Sequence, residues 1–505
     1  VARINTNPSS LIAQRNLSSN NRVLNQTLER LSTGLRINRG KDDPAGLIAS
    51  ESLRAEKSAL TSAISNADRT DQLVNIAEGG LQELSNLLVD LRGLITSSAN
   101  NAGLSGEERA ANQLQIDSIL QTVDRLADST NFQGVKLLNG NFDFQTSNVA
   151  TGVTDFRVNA AKVSKGQNIT VQAIVTTSAQ TGALYLSTGA SLNLAGSGQQ
   201  FTIEVSGQFG SRELSFASST SRADIATAIN TYKDVTGVSA SVVTSGTSNG
   251  LALRSTNFGS DAFVSVKVVN AAGITGGAGI YRSLATNGNA IDTASGTAFA
   301  SATNGVRDAG QDLVATINGV AATSKGRTAR INSDFLDVEL TFNTATATQV
   351  GSVSAFTITG GGAEFQLASR VDIAGKVAIG IQNVAARNLG RSDIGYLSQL
   401  GAGKKFNIVD GDLTGSGRVV EEAIRQLSSL RGRLGAFQKN TVGATIRSLS
   451  ISLENTTAAE SVIRDADFAS ETAALTRAQI LSSAAQNSLG LANSQPQAAL
   501  QLLRG

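Results

Sequence analysis

Between Leu17 and Leu35, apolar residues recur at Leu17, Leu24, Leu28, Leu31 and Leu35, in steps of 7, 4, 3 and 4. This is the a/d spacing of a coiled-coil seam. Asn20, Asn21, Arg22, Asn25, Glu29 and Arg30 fall between them, so the rest of such a helix is polar. A narrow apolar stripe on a polar rod has little stability alone and needs a partner helix. A second apolar set lies at the other end of the chain, at Phe468, Leu475, Ile480, Ala484, Leu489, Leu491, Leu500 and Leu503. The spacing predicts that the two ends pair with each other and associate between subunits. The seam assigned to that association is Leu17, Leu24, Leu28, Leu31, Leu35, Leu475, Ile480, Leu489, Leu500 and Leu503.

The pattern predicts residues 1–16 to be loose and a first helix from about Ser18 to Ile37. Gly40 and Pro44 mark a hinge, because glycine can take the left-handed conformation that stops a helix and proline cannot continue one. A long helix follows, carrying Leu53, Leu60, Ile64, Val74, Leu81, Leu84, Leu87, Leu91 and Leu94. At 1.5 Å per residue, roughly 50 residues of helix span roughly 75 Å, which suits a rod better than a globule. A return helix with Leu114, Ile116, Ile119, Leu120, Val123 and Leu126 comes next. Then comes a hairpin with a strand over Val135–Leu138 and a turn at Asn139-Gly140.

From Thr151 to Ser392 the pattern changes to short alternating runs, at 169–175, 201–205, 238–243, 263–269, 336–342 and 356–358. Gly, Asn and Asp separate them, which reads as a mainly-β region. Helices are expected at Arg222–Tyr232, capped by Ser221 or Thr220, and from Asp312. Helical spacing returns at Val420, Ile424, Leu427, Leu430, Leu434, Phe437, Ile446, Leu449 and Leu453. The fold class that follows is α+β and multi-domain. Discontinuous coiled-coil-like helical domains come from both termini, and a mainly-β outer region is inserted between them. The boundaries are 1–44 with 458–505, then 45–150 with 393–457, then 151–392 as one or two domains.

Composition narrows the chemistry. The chain has 505 residues, 40% apolar and only 4% aromatic, so thin aliphatic layers are expected rather than large cores. It contains no Cys and no His, which removes thiol chemistry, the usual neutral base and the commonest metal ligand. No cofactor, metal site or catalytic residue is assigned. A net charge of +2 gives no general field for nucleic acid. Arg30, Arg36, Arg39 and Lys41 have no interleaved aromatics and are followed at once by Asp42 and Asp43. No membrane-spanning run and no secretory h-region is present, so neither membrane insertion nor a cleaved signal peptide is expected.

Eight stretches resemble bacterial flagellin. They are Leu31–Asn38, Asp42–Gly46, Ala77–Gly79, Asn131–Leu138, Leu430–Ala436, Ile463–Phe468, Leu475–Ile480 and Pro496–Arg504, in family order at both ends. The resemblance covers about 1–145 and 405–505. It implies a homopolymer, the flagellar filament, whose inner tube is made by the terminal helices and whose outer tube is made by 45–145 and 405–457. It also implies export through the flagellar type III apparatus to an extracellular location, a chaperone on the C-terminal helix, and contact with filament cap and hook-associated proteins. A hook–filament junction protein shares similar ends, and an enzyme borne on a flagellin scaffold is the third reading. In the family, the helix around 89–95 engages an animal innate immune receptor. Arg92 and Leu94 fit that pattern, but Asp90 stands where family members carry Arg, and Gly93 and Gln115 stand where they often carry Glu. Weak recognition is therefore implied.

Overall fold

The structure, a computed structural model, describes residues 6–100, 103–163, 166–188, 191–196, 198–243, 250–274, 279–284 and 287–502; side chains are not described for 287–289 and 496–502. Packing divides the chain into two units. One comprises Val1–Gln72, Phe365–Lys376 and Ala436–Gly505, and the other comprises Leu73–Glu364 and Val377–Gly435.

In the first unit the N-terminal helix spans Pro8–Thr33. It begins ten residues earlier than periodicity predicts, because Asn7 accepts a hydrogen bond from the Ser10 amide and Pro8 pre-sets the first helical φ. It ends at Gly34, which sits at φ +72° and donates its amide to the Arg30 carbonyl. Gly34, not Gly40, is therefore the glycine that stops the helix. Pro44 opens the next helix, Pro44–Ser98. Between them the Asp42 carboxylate accepts from the Asn38 and Arg39 amides, and the Asp43 carboxylate accepts from the Gly46 amide. The helix Gly443–Arg464 lies alongside the first part of Pro44–Ser98, joined by Lys57–Glu460 and Arg464–Glu51 ion pairs, each at 3.3 Å. The C-terminal helix, Phe468–Leu502, returns along the N-terminal one.

In the second unit, three helical segments bury one face each. Leu81, Leu84, Leu88 and Leu91 are fully buried on the continuation of Pro44–Ser98, as are Ile116 and Val123 on Gly106–Ser129 and Val420 and Leu434 on Leu413–Ala436. Ser105 and Glu108 form a reciprocal capping box that starts the middle helix. The expected hairpin exists, but its turn is displaced. Asn131–Phe132 pairs with Val135–Lys136 through Gln133 and Gly134, both at positive φ, so the Asn139-Gly140 assignment is corrected. The two-residue loop with two left-handed positions fits the twist of the strands.

The β-region holds two large hydrophobic clusters, and the strand pairs that build them are antiparallel. One cluster gathers Leu184, Phe201, Ile203, Leu253, Val264 and Val266 under the helix Arg222–Thr231, which Ser221 caps. The other gathers Val171, Val175, Val338, Leu340, Phe342 and Phe356. In strand Ile169–Thr177, Val171, Ala173 and Val175 point inward and their neighbours outward, as a half-buried strand requires. The helix expected from Asp312 is absent. Val314–Ile317 is a strand turning at Asn318-Gly319, because Leu313, Ala315 and Ile317 are buried with period two.

Candidate self-assembly surface

The N- and C-terminal helices form an antiparallel pair. Asn7 Nδ2 donates to the Ala492 carbonyl at 2.7 Å, Ser10 Oγ to Asn493 Oδ1 at 2.7 Å, and Asn20 Nδ2 to the Leu481 carbonyl at 3.1 Å. Ser482 Oγ donates to Asn21 Oδ1 at 2.9 Å, and Arg30 pairs with Glu471 at 3.2 Å. Beyond the helix ends, the Arg36 amide donates to the Arg464 carbonyl and the Ala466 amide to the Gly34 carbonyl, with Leu35 bridged to Asp465. These bonds set one register from Asn7 to Arg36.

The side chains along this seam are mostly small. On the C-terminal helix the buried positions are Ala478, Ser482, Ala485 and Ala492, with Leu475 and Leu489 partly buried in the same heptad track. On the N-terminal helix they are Ser10, Ala13 and Thr27, with Leu17, Asn20, Leu24 and Leu31 partly buried between them. Read together, 10, 13, 17, 20, 24, 27 and 31 alternate in steps of three and four. Small residues in a and d positions let two helices approach closely, and they carry little hydropathy signal. A search for Leu therefore misses four of the seven positions.

The large apolar side chains lie elsewhere. Leu28, assigned to the seam, is exposed, as are Leu11, Ile12 and Val23 on the same helix. Leu35 lies past the helix end and is partly buried. On the C-terminal helix Ile480, also assigned to the seam, is 63% exposed, Leu491 69% and Phe468 68%. Leu503 and the side chain of Leu500 lie outside the described residues. The helix pair thus packs small residues and five partly buried leucines against itself and turns Leu28, Ile480, Leu491 and Phe468 outward. The basic residues near the turn are engaged: Arg36 approaches Asp43 at 3.8 Å, and Arg39 bonds Glu29 at 2.8 Å.

In the second unit, Asp90 and Arg92 are exposed and Leu94 is partly buried, and Arg92 pairs with Glu421 at 3.0 Å. The nearest approach to a catalytic arrangement is a pocket of about 270 Å³ that Asp143 and Asp155 both line. Burial pushes both carboxyls above their ordinary range, against the pull of Arg433 on Asp143 and of Arg157 and Arg391 on Asp155. Burial in turn lowers Arg433 to about 10. The acids are balanced by guanidinium groups, and Arg433 donates to the Asn159 side chain, so the cluster reads as a buried structural network. Among the described residues, no group of three His, Cys, Asp or Glu is placed to hold a metal, and no helix is long and apolar enough to cross a membrane.

Three family descriptions match this chain. The bacterial flagellin N-terminal helical region covers residues 4–143, the bacterial flagellin C-terminal helical region covers 418–503, and the flagellin hook IN motif covers 200–257. The chain is 31% identical to B-type flagellin of Pseudomonas aeruginosa, over 99% of both chains. It is 28% identical to Flagellin A of Helicobacter pylori, again over 99% of both. Among solved structures, FliC from Burkholderia pseudomallei is similar at 14% identity and a TM-score of 0.25, over 73% of this chain and 99% of that one.

Proposed function

This chain belongs to the bacterial flagellin family and is a structural subunit of the flagellar filament, and we propose that it assembles through the apolar surface its paired ends leave uncovered. The observation that carries this reading is the apolar surface of the helix pair: Leu11, Ile12, Val23, Leu28, Ile480 and Leu491 are exposed, while Ala, Ser and Thr hold its buried positions. Each bulky side chain that a neighbouring copy covers contributes about 1.5–3 kcal/mol if fully buried. Ordering each residue of the ends costs about 1–2 kcal/mol. Only some residues carry such side chains, so one pair of ends cannot offset the cost of ordering every residue, and the ends gain lasting order as copies accumulate around them. Gly34 and Pro44 bound the segment that joins the N-terminal helix to the next one, with Gly40 inside it.

The relatives matched over their whole length are filament proteins, so the hook–filament junction reading is not favoured. The family is structural, and the chain acts without catalysis. Its C-terminal helix is the segment a dedicated export chaperone holds before secretion. Cap and hook-associated proteins meet the same ends in the filament. With Asp90 at the exposed position beside Arg92, a reporter cell for innate recognition responds weakly to purified monomer; a strong response contradicts that part.

The deciding experiment is salt-induced polymerisation of the Leu28→Asp and Ile480→Asp variants, viewed by electron microscopy. Both residues are exposed, so the monomer keeps its fold while the surface loses its apolar character. Loss of long fibres is expected. Fibres at the parental yield overturn the proposal.

A further inference from the structure

A second feature lies away from the paired ends. A groove of about 930 Å³ opens in the second unit, lined from three stretches of chain far apart in sequence: 181–262, 312–344 and 391–425. Seven Lys and Arg side chains and five Asp and Glu side chains line it. Six of them are held in ion pairs, and others bond neutral groups. Lys325 bonds Asp261 at 2.8 Å, and Arg391 bonds Asp393 at 3.1 Å. Asp312 accepts from the Ser260 hydroxyl and amide and from the Gly326 amide. Arg327 bonds the Phe342 carbonyl at 3.2 Å and lies 5.5 Å from the Phe258 ring centre. The polar groups are therefore oriented before any ligand arrives.

Among the described residues, two cations lack even the carbonyl and ring contacts that hold Arg327. Among the described residues, Lys233 and Arg418 have no acidic partner, and both are exposed on the groove. Phe209, also on the lining, is 58% exposed. Gly326 sits at φ +59°, and a Cβ there would come within 3.0 Å of the Phe258 carbonyl oxygen, so no side chain at that position fills the floor.

We propose that this groove binds an acidic oligosaccharide of low charge density, a hexuronate-type chain of a few sugar units. Lys233 and Arg418 take its carboxylates. The fixed guanidinium–carboxylate pairs and lining hydroxyls of Ser239, Thr256 and Thr328 offer both donors and acceptors to sugar hydroxyls. Phe209 supplies the flat apolar surface against which a sugar ring packs. The volume fits a ligand of that size. A phosphodiester chain fits less well, because the lining is nearly balanced in charge and offers only two aromatic rings, whereas single-strand binding uses a basic groove with successive stacking platforms.

The test is calorimetric titration of the full-length monomer with an oligogalacturonate of about four to six units, a length set by the groove volume. Maltohexaose and an oligothymidylate serve as neutral and phosphodiester comparators. Saturable binding of the uronate is expected, with no saturable binding of maltohexaose and weaker binding of the oligothymidylate. The Lys233→Ala/Arg418→Ala double variant and, separately, Phe209→Ala weaken uronate binding by roughly tenfold or more. Circular dichroism confirms that these exposed substitutions leave the fold intact, and Phe209→Tyr, which keeps the ring, retains binding. The proposal is overturned if the uronate fails to saturate, if the variants bind as the parent does, or if the oligothymidylate binds as tightly as the uronate. Polymerisation of the same samples is scored separately, so loss of the groove and loss of assembly are distinguishable.

Discussion

The paired chain ends and the inserted β-region handle the same aliphatic alphabet in opposite ways. In the β-region the side chains that make the cores are bulky, with Phe201, Phe342, Phe356 and Leu184 all fully buried, although Phe209 and Phe335 stay exposed. In the helix pair the small residues go inside and Leu11, Ile12, Ile480 and Leu491 go outside. The helix Gly443–Arg464 goes further, with no buried residue at all and Ile451 and Val462 exposed. A region that buries its large side chains is complete as a single chain. A helix pair that exposes many of them along its length offers a surface for another copy. On the proposed reading, the β-region can vary without disturbing polymerisation, and the uncovered surface of the ends drives it.

The most severe way to break this contrast is to remove the ends. A variant lacking 1–43 and 465–505 forms no long fibres in electron micrographs and keeps the strand signature of the β-region in circular dichroism. Fibres from that variant would sink the assignment of roles. The next largest effect runs the other way: Phe342→Ala empties a fully buried site and costs about 3–5 kcal/mol in thermal or denaturant unfolding of the β-region. Below its new melting temperature this variant still polymerises.

A subtler change tests the small-residue seam. Ala485→Leu inserts bulk where the terminal helices meet, at a cost of about 1–3 kcal/mol, and lowers both the polymerisation yield and the helical signal. If Ala485→Leu polymerises better than the parent, the seam is not close-packed.

The smallest effect concerns pH. Burial raises the Asp155 carboxyl above its ordinary value of 3.8, so the ionised form disfavours the folded state at neutral pH. Its contribution to stability is fully present below 3.8 and is lost as pH rises through the folded-state value. Asp155→Asn therefore melts higher than the parent at neutral pH, and the gap closes on acidification into the carboxylate range. A gap that widens on acidification contradicts that sign.

The order of helices and strands was legible in the amino acids because period and composition change abruptly near Thr151 and return near Asp412. The strands at 169–177, 238–243 and 336–342 follow from alternation alone. Family membership was legible because short motifs at both ends recur in fixed order. The helix from Asp312 failed because Leu313, Ala315 and Ile317 alternate over too few residues to separate two periods by eye. The hairpin turn fell at Gln133-Gly134 because two-residue turns depend on register, which local composition leaves open.

Periodicity settled that this chain has two helical ends around a β-centre, since hydrophobic repeats are a local property of the residues themselves. Folding in three dimensions settled which of those residues meet: Ala13, Thr27, Ser482 and Ala485 in the seam, with Leu28 and Ile480 turned out. It also brought Lys233, Lys325 and Arg418 to one groove. Contact between positions hundreds of residues apart depends on helix rotation and strand register, and a one-dimensional pattern of apolar and polar residues constrains neither.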